Sequence, residues 1–198
     1  MGFIADYFAV TRPLSLVLAV IATFVTAAVT HHRDIAVFTS APFLQTLGMA
    51  VSIQLAANLT NTYYDYKNGF DSVDKRQLHY RLDRNLANGV ISENTVFYSM
   101  VTYYLIGILC MIPQLLQTTN PLMITLFLTG LALAYSYTGG PGLKYKALGD
   151  ITIFICFGPL LMQLESIMLT NQINNELFLY CIPIGLLAGT IHHSAYFT

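Results

Sequence analysis

Six apolar stretches separated by short polar breaks constrain this chain more than any other feature. They run roughly over residues 12–30, 41–64, 95–117, 121–138, 148–169 and 177–192, the last being short. About 20 apolar residues carry a helix across the hydrocarbon core of a bilayer. Backbone polar groups find no water there, so a spanning segment must satisfy its own hydrogen bonds, which a helix does. The breaks hold turn formers: HHRD at 31–34, Pro42, Pro113, Asn120-Pro121, GGPG at 139–142 and NQINNE at 171–176. The expected fold is all-α, a polytopic transmembrane helix bundle forming one domain over residues 1–198.

Composition agrees. Charged residues make up 10% of the chain and hydrophobic residues 55%, whereas soluble domains carry about 25% charge. A net charge of −1 offers no electrostatic footprint for nucleic acid, and no such partner is expected. Cys110, Cys156 and Cys181 all lie in apolar segments without metal or disulfide-framework spacing, and read as small hydrophobes. The apolar run from about Pro13 to Thr30 is long for a signal-peptide core, so it is expected to be a first transmembrane helix and not a cleaved leader.

The few charges are clustered. Ten of the nineteen lie between Asp65 and Glu93. With six spans, Arg12, the five basic residues of the 67–84 region, Lys144 and Lys146 fall on one side, and Arg33 falls on the other. The Lys/Arg bias therefore predicts a cytoplasmic N terminus and puts the 58–71 and 135–150 regions on one face.

The 58–71 region reads NLTNTYYDYKNGFD. Helical spacing places Asn58, Asn61 and Asp65 on one face. Gly69 can end the helix and turn Asp71 back towards Asp65. Two carboxylates and an amide oxygen would then converge at the membrane boundary. Hard cations such as Mg²⁺ take oxygen ligands of this kind and often share them with substrate phosphates. Ionisable residues at such depth are functional by default; the alternative is that they cap the helix and meet headgroups.

The 135–150 region reads YSYTGGPGLKYKALGD. Lys144 can serve as a point charge on a phosphate. Equally, Lys144, Lys146 and the neighbouring tyrosines can be snorkelling interfacial anchors. Tyr faces can meet lipid or stabilise a cationic centre. Other signals carry less. Asn58-Leu59-Thr60 matches a glycosylation sequon but lies within an expected helix near its cytoplasmic end. GGPG lacks the GK[ST] of a phosphate-binding loop. Glu165, inside the fifth span, can face a cavity or pair across helices.

Arg12-Pro13, NTYYDYKNGFD at 61–71 and YSYTGGPGLKYKALGD at 135–150 together resemble the UbiA superfamily of intramembrane aromatic prenyltransferases, in a form similar to its menaquinone branch. The resemblance implies Mg²⁺-dependent transfer of a prenyl group from a geranylgeranyl-like prenyl diphosphate to a naphthoquinone-type ring, as in menaquinone or vitamin K2 biosynthesis. It implies that Asn61, Asp65 and Asp71 hold the metal and form the catalytic set. It also implies that Lys144, Arg84, Lys67, Tyr137 and Asn58 bind substrate. The implied location is the endoplasmic reticulum or Golgi membrane, with a mitochondrial or bacterial inner membrane as the other option. The family fold has nine helices and a second Asp-rich motif. In this sequence His193-Ser194 is followed by AYFT, and no acidic residue follows Glu176. The expectation is therefore about six of the nine helices and a C-terminally truncated domain. The alternative function is a catalytically inactive truncated isoform that binds lipids or a partner membrane protein.

Overall fold

The computed structural model describes residues 3–32, 34–69, 86 and 89–194. Its helices are α1 (Phe3–Thr11), α2 (Leu16–Thr30), α3 (Ala41–Lys67), α4 (Glu93–Gln117), α5 (Leu122–Ser136), α6 (Gly149–Ile155), α7 (Leu161–Thr170) and α8 (Leu177–Ser194). No strand occurs among the described residues. By length and composition, Pro13–Thr30, Glu93–Gln117 and the bent Gly149–Thr170 can each cross a membrane, and Leu122–Ser136 and Leu177–Thr190 are shorter apolar helices. The architecture is a membrane helix bundle.

The helix ends follow local chemistry. Ser40 Oγ accepts from Phe43 N at 3.3 Å and Pro42 sits in the first turn, which starts α3. Ser92 Oγ accepts from Thr95 N at 3.1 Å and starts α4. Asn171, in the left-handed region at φ 61°, closes α7. Pro113 does not end its segment. It lies inside α4, one turn from the C terminus.

Three features depart from the sequence expectation. A helix, α1, precedes the first span, and the chain turns sharply at Arg12, which adopts φ 51° before Pro13. The fifth span is not continuous. Cys156–Leu160 forms a π-turn in which Gly158 leaves the helical region and Pro159 offers no N–H, so α6 and α7 meet at a bend. A Cβ on Gly158 would lie 2.9 Å from the Cys181 carbonyl oxygen, so α8 packs directly on the bend. Third, α3 is the least apolar of the long helices, because its C-terminal half carries buried Asn58, Thr60, Asn61, Thr62 and Asp65.

That polar helix is the hub. It touches α1, α2, α4, α5 and α7. Its close approach to α4 depends on Gly107, where a Cβ would sit 2.5 Å from the Ile53 side chain; small residues at such contacts are how membrane helices gain van der Waals packing. A methionine-rich cluster of Met49, Met111, Met123 and Met168 with Phe127, Leu164 and Ile167 joins α3, α4, α5 and α7.

Glu165 is fully buried and faces α2, where Thr23 Oγ1 donates to its Oε1 at 2.5 Å. It therefore pairs across helices. Gln163 clasps the α7–α8 loop, donating to Asn174 O at 2.9 Å and accepting from Asn174 N at 3.2 Å. Removing a hydroxyl that faces a buried carboxyl group leaves that group to bear the desolvation penalty. Thr23→Val should destabilise the bundle by about 1–3 kcal/mol, and Thr23→Ser should restore most of the loss. Unfolding in mixed micelles, followed by circular dichroism, reads both.

Candidate functional site

The end of α3 and the turn between α5 and α6 build one buried polar centre. The 139–148 segment folds back on itself. Lys144 N donates to Tyr137 O at 2.9 Å, and Gly142 N donates to Gly139 O at 3.1 Å. Gly142 has φ 58°, a conformation that favours glycine. A Cβ there would also meet the Tyr145 ring at 2.7 Å. The tight turn aims Lys144 and Tyr145 at α3.

Lys144 Nζ lies 2.7 Å from Asn61 Oδ1, 2.8 Å from Asp65 Oδ1 and 2.6 Å from Asp65 Oδ2. Tyr145 donates its hydroxyl to Asp65 Oδ1 at 2.5 Å, and Thr138 donates to Asn61 Oδ1 at 3.1 Å. Asp65 is fully buried and the Lys144 side chain is 7% exposed. Three oxygens from two residues one helical turn apart thus already surround a cation, the lysine ammonium.

Asn58 shares the face of α3 but does a different job. Its Nδ2 donates to Thr11 O at 2.8 Å and to Ser15 Oγ at 2.7 Å, which pins the Arg12-Pro13 elbow to α3. Its burial and these bonds leave no room for a glycan. Lys67 lies outside the buried centre. It pairs with Glu93 at 2.6 Å across the α3–α4 junction and sits over the Tyr63 ring. Tyr137 faces inward and lines the cavity described next. Asp71 and Arg84 lie outside the described residues. Thr138 and Ser15 are polar partners that reading the sequence did not single out, and Tyr145 was read there only as one of the tyrosines beside Lys144. Their signal was thin: a hydroxyl beside a motif residue looks like any boundary serine, threonine or tyrosine until its partner is known.

Through Asn61 the polar centre borders an apolar cavity between α3, α5 and the bent α6–α7 segment. Asn58, Asn61, Tyr137 and Thr152 line one end, and Met49, Phe127 and Leu164 line the other. Between them the walls mix small residues, such as Ala57, Gly130 and Ala134, with larger apolar ones, such as Ile53, Phe157 and Leu160. Apolar cavities with a few convergent polar groups are the usual form of small-molecule sites.

Fold and site together define an integral membrane protein with a buried cation cradle next to the Asn61 end of an apolar cavity. The chain matches the UbiA prenyltransferase family over residues 15–197, and it belongs to that family. It is 34% identical to the UbiA prenyltransferase domain-containing protein 1 of Dictyostelium discoideum over 185 residues, covering 92% of this chain and 56% of that protein. It is 30% identical to the Drosophila melanogaster homolog of that protein over 193 residues, covering 95% and 52%. With the human protein the identity is 32% over 155 residues, covering 75% and 44%. The chain thus spans about half the length of these curated relatives.

Removing one partner from a buried ion pair strands the other charge, which costs about 3–5 kcal/mol, whereas replacing both with apolar groups is often tolerated. Lys144→Met should therefore destabilise the bundle by about that much. The double variant Lys144→Met/Asp65→Leu should recover most of the loss in the same micelle unfolding measurement. Equal instability of the two variants would show that the pair is not what holds the turn to α3.

Proposed function

We propose that this chain carries the prenyl-diphosphate end of an aromatic prenyltransferase. The reaction would transfer a prenyl group from its diphosphate to a naphthoquinone-type ring, as in menaquinone or vitamin K2 biosynthesis. The observation that carries the reading is that Asn61 belongs both to the buried Asp65–Lys144 centre and to the lining of the apolar cavity. A prenyl diphosphate has the matching two-part character, a polyanion joined to an apolar tail.

The donor set fits a hard divalent cation. Asn61 Oδ1 and both Asp65 carboxylate oxygens are hard donors, and they already hold an ammonium at 2.6–2.8 Å. No group of three or more His, Cys, Asp or Glu side chains gathers among the described residues. Mg²⁺ suits such a sparse protein set because it commonly binds through one or two carboxylates and completes its shell with water and substrate phosphates. Asn61 and Asp65 would hold it, with Asp71 as the third expected ligand. When bound, the ion would neutralise charge on the departing diphosphate.

The chain's own residues supply the rest. Lys144 offers a second positive charge beside the same oxygens, placed where negative charge grows as the C–O bond breaks. Tyr145 and Thr138 hold Asp65 and Asn61 in orientation through their hydroxyls. The diphosphate leaves with the electron pair of the broken bond. The acceptor ring carbon then bonds to the allylic carbon and releases its proton. The cavity walls keep water from the allylic centre, which would otherwise be captured as an alcohol. Membership of the family and the site's chemistry both support this reading. We place the site on the cytoplasmic side of an endoplasmic reticulum or Golgi membrane, on the Lys/Arg asymmetry and on resemblance.

The test uses the chain in nanodiscs with Mg²⁺, geranylgeranyl diphosphate and a 1,4-naphthoquinol acceptor. Prenylated product is expected, and Asp65→Asn should lower its rate by at least about a hundredfold, in the range seen when a transition-state charge partner is removed. Product formation indifferent to Asp65→Asn would refute the metal role. Absence of product from an inserted, folded chain would favour the lipid- or partner-binding alternative.

A further inference from the structure

The elbow at Arg12 locks the orientation of two side-chain amides and leaves one carbonyl oxygen unpaired beside the cavity. Asn58 Nδ2 donates to the Thr11 carbonyl at 2.8 Å. A backbone carbonyl only accepts, so this contact fixes which end of the Asn58 amide faces the elbow. Asn58 Oδ1 in turn accepts from Gln54 Nε2 at 3.1 Å, one helical turn earlier on α3. Gln54 Nε2 also donates to Ser15 Oγ at 3.3 Å, so both hydrogens of the Gln54 amide are used. Ser15 completes the network. Its hydroxyl accepts from Asn58 Nδ2 at 2.7 Å and donates to the Arg12 carbonyl at 3.0 Å.

Gln54 Oε1 has no hydrogen-bond partner among the described residues. Gln54 also lines the cavity, with Ala50 and Ala57 one turn to either side on α3 and Ala19 joining from α2. The network therefore holds an acceptor still, with no donor of the chain to meet it. Asn61 lies seven residues further along the same face, about 10 Å away at the rise of an α-helix. That leaves a ring-sized interval between the unpaired carbonyl and the cation cradle.

We propose that Gln54 Oε1 receives a hydroxyl hydrogen from the aromatic ring that accepts the prenyl group. An atom that only accepts discriminates by oxidation state. A ring hydroxyl donates to it, whereas a quinone carbonyl offers only lone pairs and meets it oxygen against oxygen. Gln54 thus selects the reduced, hydroxylated ring over its quinone, and the reduced ring is the electron-rich form that attack on an allylic cation requires. The hydrogen bond also sets the ring's orientation, because the amide that accepts it is pinned at two points. That the hydroxyl belongs to an acceptor ring rests on the prenyl-transfer reading; the unpaired, oriented carbonyl does not.

Small ring ligands test the carbonyl without any diphosphate or metal. 1-Naphthol, 1-methoxynaphthalene and 1,4-naphthoquinone are each equilibrated by dialysis with the chain in nanodiscs, and empty nanodiscs give the share taken by lipid. Wild type should bind 1-naphthol about three- to tenfold more tightly than either ligand that lacks a hydroxyl, the scale of one net hydrogen bond. Gln54→Met, of similar length, should abolish that preference by weakening 1-naphthol alone. Gln54→Glu keeps an acceptor oxygen in the same place and should retain the preference. A wild type indifferent to the hydroxyl would overturn the proposal, whether or not either variant folds. Equal loss of all three ligands in folded Gln54→Met would also overturn it, since Gln54 would then serve only to brace the elbow. A separate arm supplies 1,4-naphthoquinol, geranylgeranyl diphosphate and Mg²⁺, where Gln54→Met should raise KM for the quinol with a smaller change in kcat. If the hydroxyl preference depends on Gln54 but wild type forms no prenylated product, the prenyl-transfer reading fails while the hydroxyl site stands.

Discussion

The ion pair between Asp65 and Lys144 is the interaction on which the site depends. Asp65 has no exposure, and taking a carboxylate out of water costs several kcal/mol unless its lone pairs are satisfied. Here they are met by an ammonium on both oxygens and a tyrosine hydroxyl on one. The consequence is geometric. The turn after α5 has to fold back onto the end of α3, because only there can Lys144 and Tyr145 reach Asp65. The left-handed glycines and Ala147 of that turn are the backbone conformations such a reversal requires. The same constraint brings the polar ends of α3, α5 and α6 together, and the cavity lies between them.

A buried cation on the proposed metal ligands is a natural resting state for a centre built to hold positive charge. Oxygens that stabilise an ammonium would repel one another without it. A metal held as proposed would make demands on Asn61 and Asp65 that overlap with those of Lys144, so the site carries its own counter-charge. The neighbouring helices serve this arrangement. Asn58 anchors the N-terminal elbow to α3, and Lys67 with Glu93 joins α3 to α4 at the exposed edge. Tyr64 and Tyr135, hydroxyls 2.8 Å apart, tie α3 to α5 just outside the centre.

The bend at Gly158–Pro159 has an equivalent role for the apolar part. A straight helix over Gly149–Thr170 would present one continuous face to α3. The π-turn inserts a change of direction, so that Thr152 and Leu164, at opposite ends of the segment, both line the cavity. Gly158 tolerates the required backbone and lets the α8 carbonyl of Cys181 approach closely.

Much of this was legible in the sequence, for a physical reason. Lipid imposes one rule on every residue it touches, so apolar runs of spanning length announce the helix bundle without tertiary information. That Asn61 and Asp65 share one face of α3 was also readable, because helical periodicity fixes it and an ionisable or amide group near the membrane boundary carries a desolvation cost. The separate motifs could not show that Lys144 points at Asp65 in place of a solvated headgroup, since a snorkelling lysine has the same local sequence. Nor could they show the elbow at Arg12, the bend at Gly158, the partner of Glu165 or the roles of Thr138 and Tyr145. Those depend on which helix lies opposite. Contacts between residues some eighty positions apart are decided by packing of the whole bundle, and only the tertiary structure specifies them.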